Sequence, residues 1–122
     1  EIYCEEYAFA YDAAIKDNKS ENYARVYAEK YGSALVDIKR RYGISDDEEM
    51  IDFAIQKVKA YMNAWEYGTA NKLANFKGFA DIYENVYLNA LYSEDYDINQ
   101  SEVEFEKQVL KEALEKFNKI ST

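Results

Sequence analysis

Large, mostly apolar residues recur at every fourth position in five segments of this chain. The segments run from Tyr3 to Ile15, Tyr23 to Leu35, Phe53 to Trp65, Phe79 to Leu91 and Phe105 to Phe117. Spacings of three, four and seven residues indicate amphipathic helices, and no segment keeps the period of two that is typical of strands. The pattern therefore predicts an all-α fold.

Few residues interrupt these segments. The chain has no proline and four glycines, which favours long helices. The breaks between segments carry residues typical of helix ends: Asn18, Ser20, Gly43, the capping boxes Ser45–Glu48 and Ser101–Glu104, and Gly68. They predict helices near 2–17, 20–42, 46–67, 70–92 and 102–120. Short connections make consecutive helices antiparallel neighbours.

Size and repetition bound the domain organisation. With 122 residues, 48% of them hydrophobic, the chain can bury one core, so we expect a single helical domain over residues 1–122. The first two segments resemble an internal repeat, but the later ones keep no fixed period. Both a compact bundle and a short stack of helical hairpins fit this pattern. Because the pattern begins at Glu1 without an initiator Met, we expect a processed chain or a fragment of a longer repeat-containing protein.

The missing residue types argue against catalysis. Histidine is absent, which removes the usual general base and the commonest metal ligand. The single cysteine, Cys4, has no basic neighbour to activate it and no partner for an internal disulfide. We therefore expect a protein that is not an enzyme and has no cofactor, in the cytoplasm by default. No apolar run reaches the ~18 residues of a membrane span.

The charge distribution restricts the partners. There are 24 acidic and 15 basic residues, a formal net charge of −9, and no Lys or Arg between Gly78 and Glu106. Such a surface repels nucleic acid and anionic lipid, so we expect direct binding to neither. One alternative uses the same charge differently: spaced carboxylates on helices could imitate the phosphates of DNA and inhibit a DNA-binding protein.

A second alternative is a calcium-binding helix-loop-helix at residues 95–106. Five oxygen-bearing side chains fall at positions 1, 3, 5, 7 and 12 of an EF-hand loop, namely Asp95, Asp97, Asn99, Ser101 and Glu106. The loop departs from the EF-hand at Gln100, where glycine normally makes the sharp turn, and at Glu102, where an apolar residue is usual. A solvated acidic loop that caps the fifth helix is the competing interpretation.

Tyrosine is the commonest large residue in the four-residue pattern, with 13 Tyr against 6 Phe. The residues Tyr23, Tyr27 and Tyr31 lie beside a row of small residues, Ala24, Ala28 and Gly32, as expected for ridge-into-groove helix packing. Tyrosine rings also suit protein interfaces, because the ring packs while the hydroxyl stays hydrated.

The function predicted from these patterns is a non-catalytic protein-interaction module or inhibitor with a tyrosine-rich helical face. Its partner would be a protein of basic or mixed charge, and self-association is possible. Two sets of tyrosines are the candidate faces: Tyr23, Tyr27 and Tyr31, or Tyr83, Tyr87 and Tyr92.

Overall fold

The structure is a computed structural model that describes residues 2–42 and 48–121. It contains five α-helices: α1 (Ile2–Lys16), α2 (Glu21–Tyr42), α3 (Glu48–Ala70), α4 (Phe76–Leu91) and α5 (Glu102–Ser121). These ranges contain no strand, and the all-α prediction is confirmed. The predicted caps at Gly43 and Ser45 lie outside the described residues. In the part of the chain that is described, no helix combines the length and apolarity needed to cross a membrane.

The chain divides into two compact units, Glu1–Lys59 and Ala60–Thr122, with the division inside α3. We call them unit 1 and unit 2. The antiparallel order of all five helices and a single domain over 1–122 stay predictions.

Unit 1 contains a helical hairpin whose interior is made of small residues. The buried alanines, here called the alanine seam, are 0–4% exposed and comprise Ala10 and Ala14 of α1 with Ala24 and Ala28 of α2. Gly32 continues the seam: a methyl group there would lie 3.1 Å from Cδ2 of Tyr3. The start of α1 thus lies against the middle of α2, while the end of α1 leads directly into the start of α2. The small-residue row predicted from the sequence is the interior of the pair.

The α1–α2 connection is capped at both of its ends. Asn18 has a left-handed backbone with a φ of 62°, and the Lys19 amide donates to the Ala14 carbonyl at 3.1 Å. This is the pattern of a Schellman C-terminal cap, in which asparagine is one of the few residues that tolerate positive φ. Two residues later, the Ser20 hydroxyl accepts a hydrogen bond from the Tyr23 amide at 3.1 Å and starts α2.

Unit 2 has a larger, aromatic core. Phe79 contacts Phe117 with ring centroids 5.6 Å apart, and Tyr87 contacts Phe105 at 5.2 Å. The start of α4 therefore meets the end of α5, and the end of α4 meets the start of α5. The C-terminal part of α3 joins this core, whose buried members are Ala60, Ala64, Phe79, Ala80, Tyr83, Val86, Tyr87, Phe105, Val109, Ala113 and Phe117.

The junction between α3 and α4 differs from the prediction. The sequence predicts that Gly68 lies between a helix ending at residue 67 and one beginning at residue 70. In the structure, α3 continues to Ala70 and α4 begins at Phe76. The glycine serves a close approach instead: a methyl group on Gly68 would lie 2.5 Å from the Phe76 ring. Beyond Ala70 the helix is capped by Lys72, whose left-handed backbone has a φ of 50°, and the Leu73 amide donates to the Gly68 carbonyl at 3.0 Å.

Candidate functional site

A row of tyrosine rings runs along one side of α1. The ring centroids of Tyr3 and Tyr7 are 6.0 Å apart, and those of Tyr7 and Tyr11 are 6.2 Å apart. Tyr7 and Tyr11 are half-buried, whereas Tyr3 is 38% exposed, and Ile15 extends the row with 40% exposure. We call Tyr3, Tyr7 and Tyr11 the α1 row. Sequence reasoning did not include it among the binding residues, although its spacing equals that of the Tyr23 segment.

A second row lies on α2. The centroids of Tyr23, Tyr27 and Tyr31 are separated by 6.1 and 5.8 Å, and all three rings are half-buried. Phe9 of α1 reaches the end of this row, 6.2 Å from Tyr31, and is itself 64% exposed. At the other end, the Lys19 ammonium lies over the Tyr23 ring at 5.0 Å, within cation–π distance. We call these three tyrosines the α2 row.

The two rows lie on opposite sides of the alanine seam. Phe9 follows Tyr3 by six residues, which places it about 240° further around α1. Different carboxylates lie near the two rows. Desolvation and then the Glu29 carboxylate raise the pKa of Tyr3, whereas desolvation and then Glu6 raise the pKa of Tyr31. Each face of the hairpin therefore combines a tyrosine row with a carboxylate from the other helix.

The second predicted face does not exist as an exposed surface. Tyr83 and Tyr87 are each 3% exposed and belong to the core of unit 2, whereas Tyr92, just after α4, is 53% exposed. Tyr83 and Tyr87 are four residues apart, like neighbouring tyrosines of α2, but Phe105 covers Tyr87 with an edge-on contact. This corrects the prediction for Tyr83 and Tyr87, which serve packing.

Their hydroxyl groups belong to a polar cluster in unit 2. The Asn63 amide nitrogen donates to Oε2 of Glu106 at 2.6 Å, and Asn63 is also hydrogen-bonded to the Tyr83 hydroxyl. Burial raises the pKa of Tyr83 to about 12, against the lowering effect of Asn63. Burial also raises the pKa of Tyr87, and the Glu106 carboxylate adds to it. Both hydroxyls thus stay protonated at neutral pH, which favours a structural role over proton transfer.

Three of the five predicted calcium ligands make hydrogen bonds within unit 2. Glu106 accepts the asparagine bond from α3, Oδ1 of Asp97 accepts from the Asn99 amide at 2.9 Å, and the Ser101 hydroxyl accepts from the Glu104 amide at 3.1 Å, starting α5 as predicted. Across residues 2–42 and 48–121, no three or more Asp, Glu, Cys or His side chains form a group that could hold a metal ion. The structure therefore does not gather the acidic members of the proposed set Asp95, Asp97, Asn99, Ser101 and Glu106 into one site.

Comparison with known proteins assigns no family. No protein-family model, no curated protein sequence and no solved structure matches the chain. The side chains of the hairpin are therefore the basis on which a function can be assigned.

Proposed function

We propose that the protein is a non-catalytic protein-interaction module that binds its partner through the aromatic surface of the α1–α2 hairpin. One observation carries this proposal. Helix α1 exposes three large apolar side chains, Tyr3, Phe9 and Ile15, at 38%, 64% and 40%. These side chains project from different sides of α1, whereas only one side of α1 packs against α2 at the alanine seam. A helix that is apolar on several sides needs more cover than one neighbouring helix supplies.

The residue types support a protein partner of basic or mixed charge. Tyrosine rings give contact area at a small entropic cost because they have few rotatable bonds. In the rows, rings held against their neighbours at about 6 Å are already ordered before binding. Residues 1–15 contain four acidic residues and no Lys or Arg, so a basic partner gains from their field.

The test compares two triple variants of the full chain as affinity baits. The surface variant replaces the exposed apolar residues of α1: Tyr3→Gln, Phe9→Gln and Ile15→Gln. The matched control makes the same change at exposed apolar residues of unit 2, which are 83%, 61% and 73% exposed: Ile98→Gln, Val103→Gln and Ile120→Gln. Quantitative mass spectrometry measures the proteins retained from a lysate of the source cells, and circular dichroism checks that each bait is helical.

We expect the wild type and the control to retain at least one partner in similar amounts. The surface variant should retain at least tenfold less of that partner. The purified partner should then bind the wild type in a calorimetric titration. An identical set of retained proteins for all three baits contradicts the proposal. Loss with the control variant instead places the interface on unit 2. The calcium switch would need a group of carboxylates around one ion, and the DNA mimic would need carboxylates spaced like phosphates. The contacts of the described residues favour neither over this function.

A further inference from the structure

We infer that the α1 row binds a cationic helix of the partner, on which Lys or Arg recurs every fourth residue. The inference rests on the proposed function, because it names the chemistry of the partner at the same hairpin.

The spacing of the rings matches such a helix. The three centroids of the α1 row are separated by 6.0 and 6.2 Å. An α-helix advances ~1.5 Å per residue, so side chains four residues apart are separated by about 6 Å along its axis. Because a four-residue row also slants by about 40° per step around its helix, a partner helix that crosses α1 at about −50° aligns its row of cations with the row of rings.

The hairpin already shows the contact that the partner would make. Lys19 places its ammonium 5.0 Å from the centre of the Tyr23 ring. A tyrosine of this unit thus accepts a cation on its face, at the distance expected for a cation–π interaction. Arginine suits the remaining rings even better, because its planar guanidinium both stacks on an aromatic ring and hydrogen-bonds a carboxylate.

Negative charge around α1 adds to the complementarity. Glu29 of α2 is close enough to Tyr3 to raise the pKa of its hydroxyl, whereas Glu5 and Asp12 are exposed on the opposite side of α1 and contribute only at longer range. Helix α1 supplies no cation of its own before Lys16. The α1 row is thus an aromatic surface on an acidic helix with the Glu29 carboxylate beside Tyr3, whereas the α2 row already has the Lys19 ammonium at one end.

The experiment titrates the full chain into three fluorescein-labelled helical peptides and follows fluorescence anisotropy. The first peptide carries Arg at every fourth position of an Ala/Gln helix. The second has the same composition with the Arg residues five apart, which spreads them around the helix. The third replaces Arg by norleucine. Salt is varied from 50 to about 300 mM, because a cation held at an exposed surface is released by screening.

We expect the first peptide to bind severalfold more tightly than the other two, and more weakly at high salt. Tyr7→Leu and Tyr11→Leu keep an apolar side chain but remove the ring, so each should weaken binding by about two- to fivefold. Tyr92→Leu, an exposed tyrosine of unit 2, is the matched control and should bind as the wild type does. Helicity by circular dichroism shows that each variant is folded.

Equal binding of the first two peptides overturns the inference without any variant. So does binding of the norleucine peptide as tightly as the Arg peptide, which makes the surface a simple apolar one. Sedimentation that shows a dimer abolished by Tyr7→Leu assigns the row to a second copy of the chain instead. None of these results affects the variant-dependent capture in the bait experiment, so the proposed function can stand where the cationic helix fails.

Discussion

Replacing Gly68 by alanine sets two known effects against each other. Within a helix, Gly→Ala stabilises by about 1 kcal/mol, because glycine is the more flexible residue in the unfolded chain. Here the new methyl carbon would lie 2.5 Å from Cδ1 of Phe76 and 3.0 Å from Cε1. The ring cannot simply retreat, because it packs edge-on against Tyr61 with centroids 5.9 Å apart. Overpacking of this kind costs about 1–3 kcal/mol.

We therefore expect Gly68→Ala to destabilise the protein by about 1 kcal/mol net. In urea unfolding, that corresponds to a midpoint lowered by roughly 0.3–1 M for an m-value of about 1–3 kcal/mol/M. A double-mutant cycle isolates the cause: in a Phe76→Ala background, the same change should stabilise by about 1 kcal/mol, a coupling of about 2 kcal/mol.

Gly78→Ala is the matched control. Its methyl group meets the amide end of Asn75, 2.6 Å from Nδ2, and that side chain can rotate away. The helical gain should offset the weakened cap, so that the stability changes by less than about 0.5 kcal/mol. A stabilising Gly68→Ala, or an equal cost with and without the Phe76 ring, would refute the close-approach explanation.

Three further outcomes follow from the caps and the buried hydroxyls. Lys72→Gly should stabilise by about 1 kcal/mol in urea unfolding, because the φ of 50° strains a lysine and not a glycine, whereas Asn18→Gly should change little. Ser101→Ala should cost about 1 kcal/mol through loss of the Glu104 amide bond, and Ser101→Thr should restore most of it. Tyr83, with a folded pKa of about 12 against 10.0 for the ordinary group, binds its proton more tightly in the folded state. Its stabilising contribution is complete below pH ~10 and is lost as the pH rises towards 12; Tyr83→Phe should therefore flatten the fall in stability over that range, measured by circular dichroism.

The helices were predictable because the four-residue spacing reports one periodicity and the chain has no proline to interrupt it. The boundary between α3 and α4 near Gly68 could not be predicted in this way. A glycine that ends a helix and a glycine that admits a ring look identical in sequence, and the difference depends on Phe76, which lies on the next helix. The true end of α3 uses Lys72, a residue with no preference for positive φ, so no local signal marks it.

The candidate site shows the same division. Tyr31 and Tyr87 are both the third member of a four-residue pattern, yet Tyr31 is half-buried and Tyr87 is 3% exposed. In unit 2 the cover comes from Phe105 of α5, which the spacing on α4 cannot reveal. The α1 row could have been proposed from the repeat of its spacing and from the lack of Lys or Arg in residues 1–15, since both are visible in the sequence.

The Asn18–Ser20 connection also bears on how quickly the chain can fold. Its two caps are made by residues of the connection and of the adjoining helical turns, so the reversal of direction between α1 and α2 needs no distant part of the chain. Closing so short a loop takes on the order of tens of nanoseconds, and contacts that are local in sequence generally accelerate folding. The hairpin is thus suited to form early in folding. The tyrosine rows would then be exposed to solvent before the rest of the chain has folded.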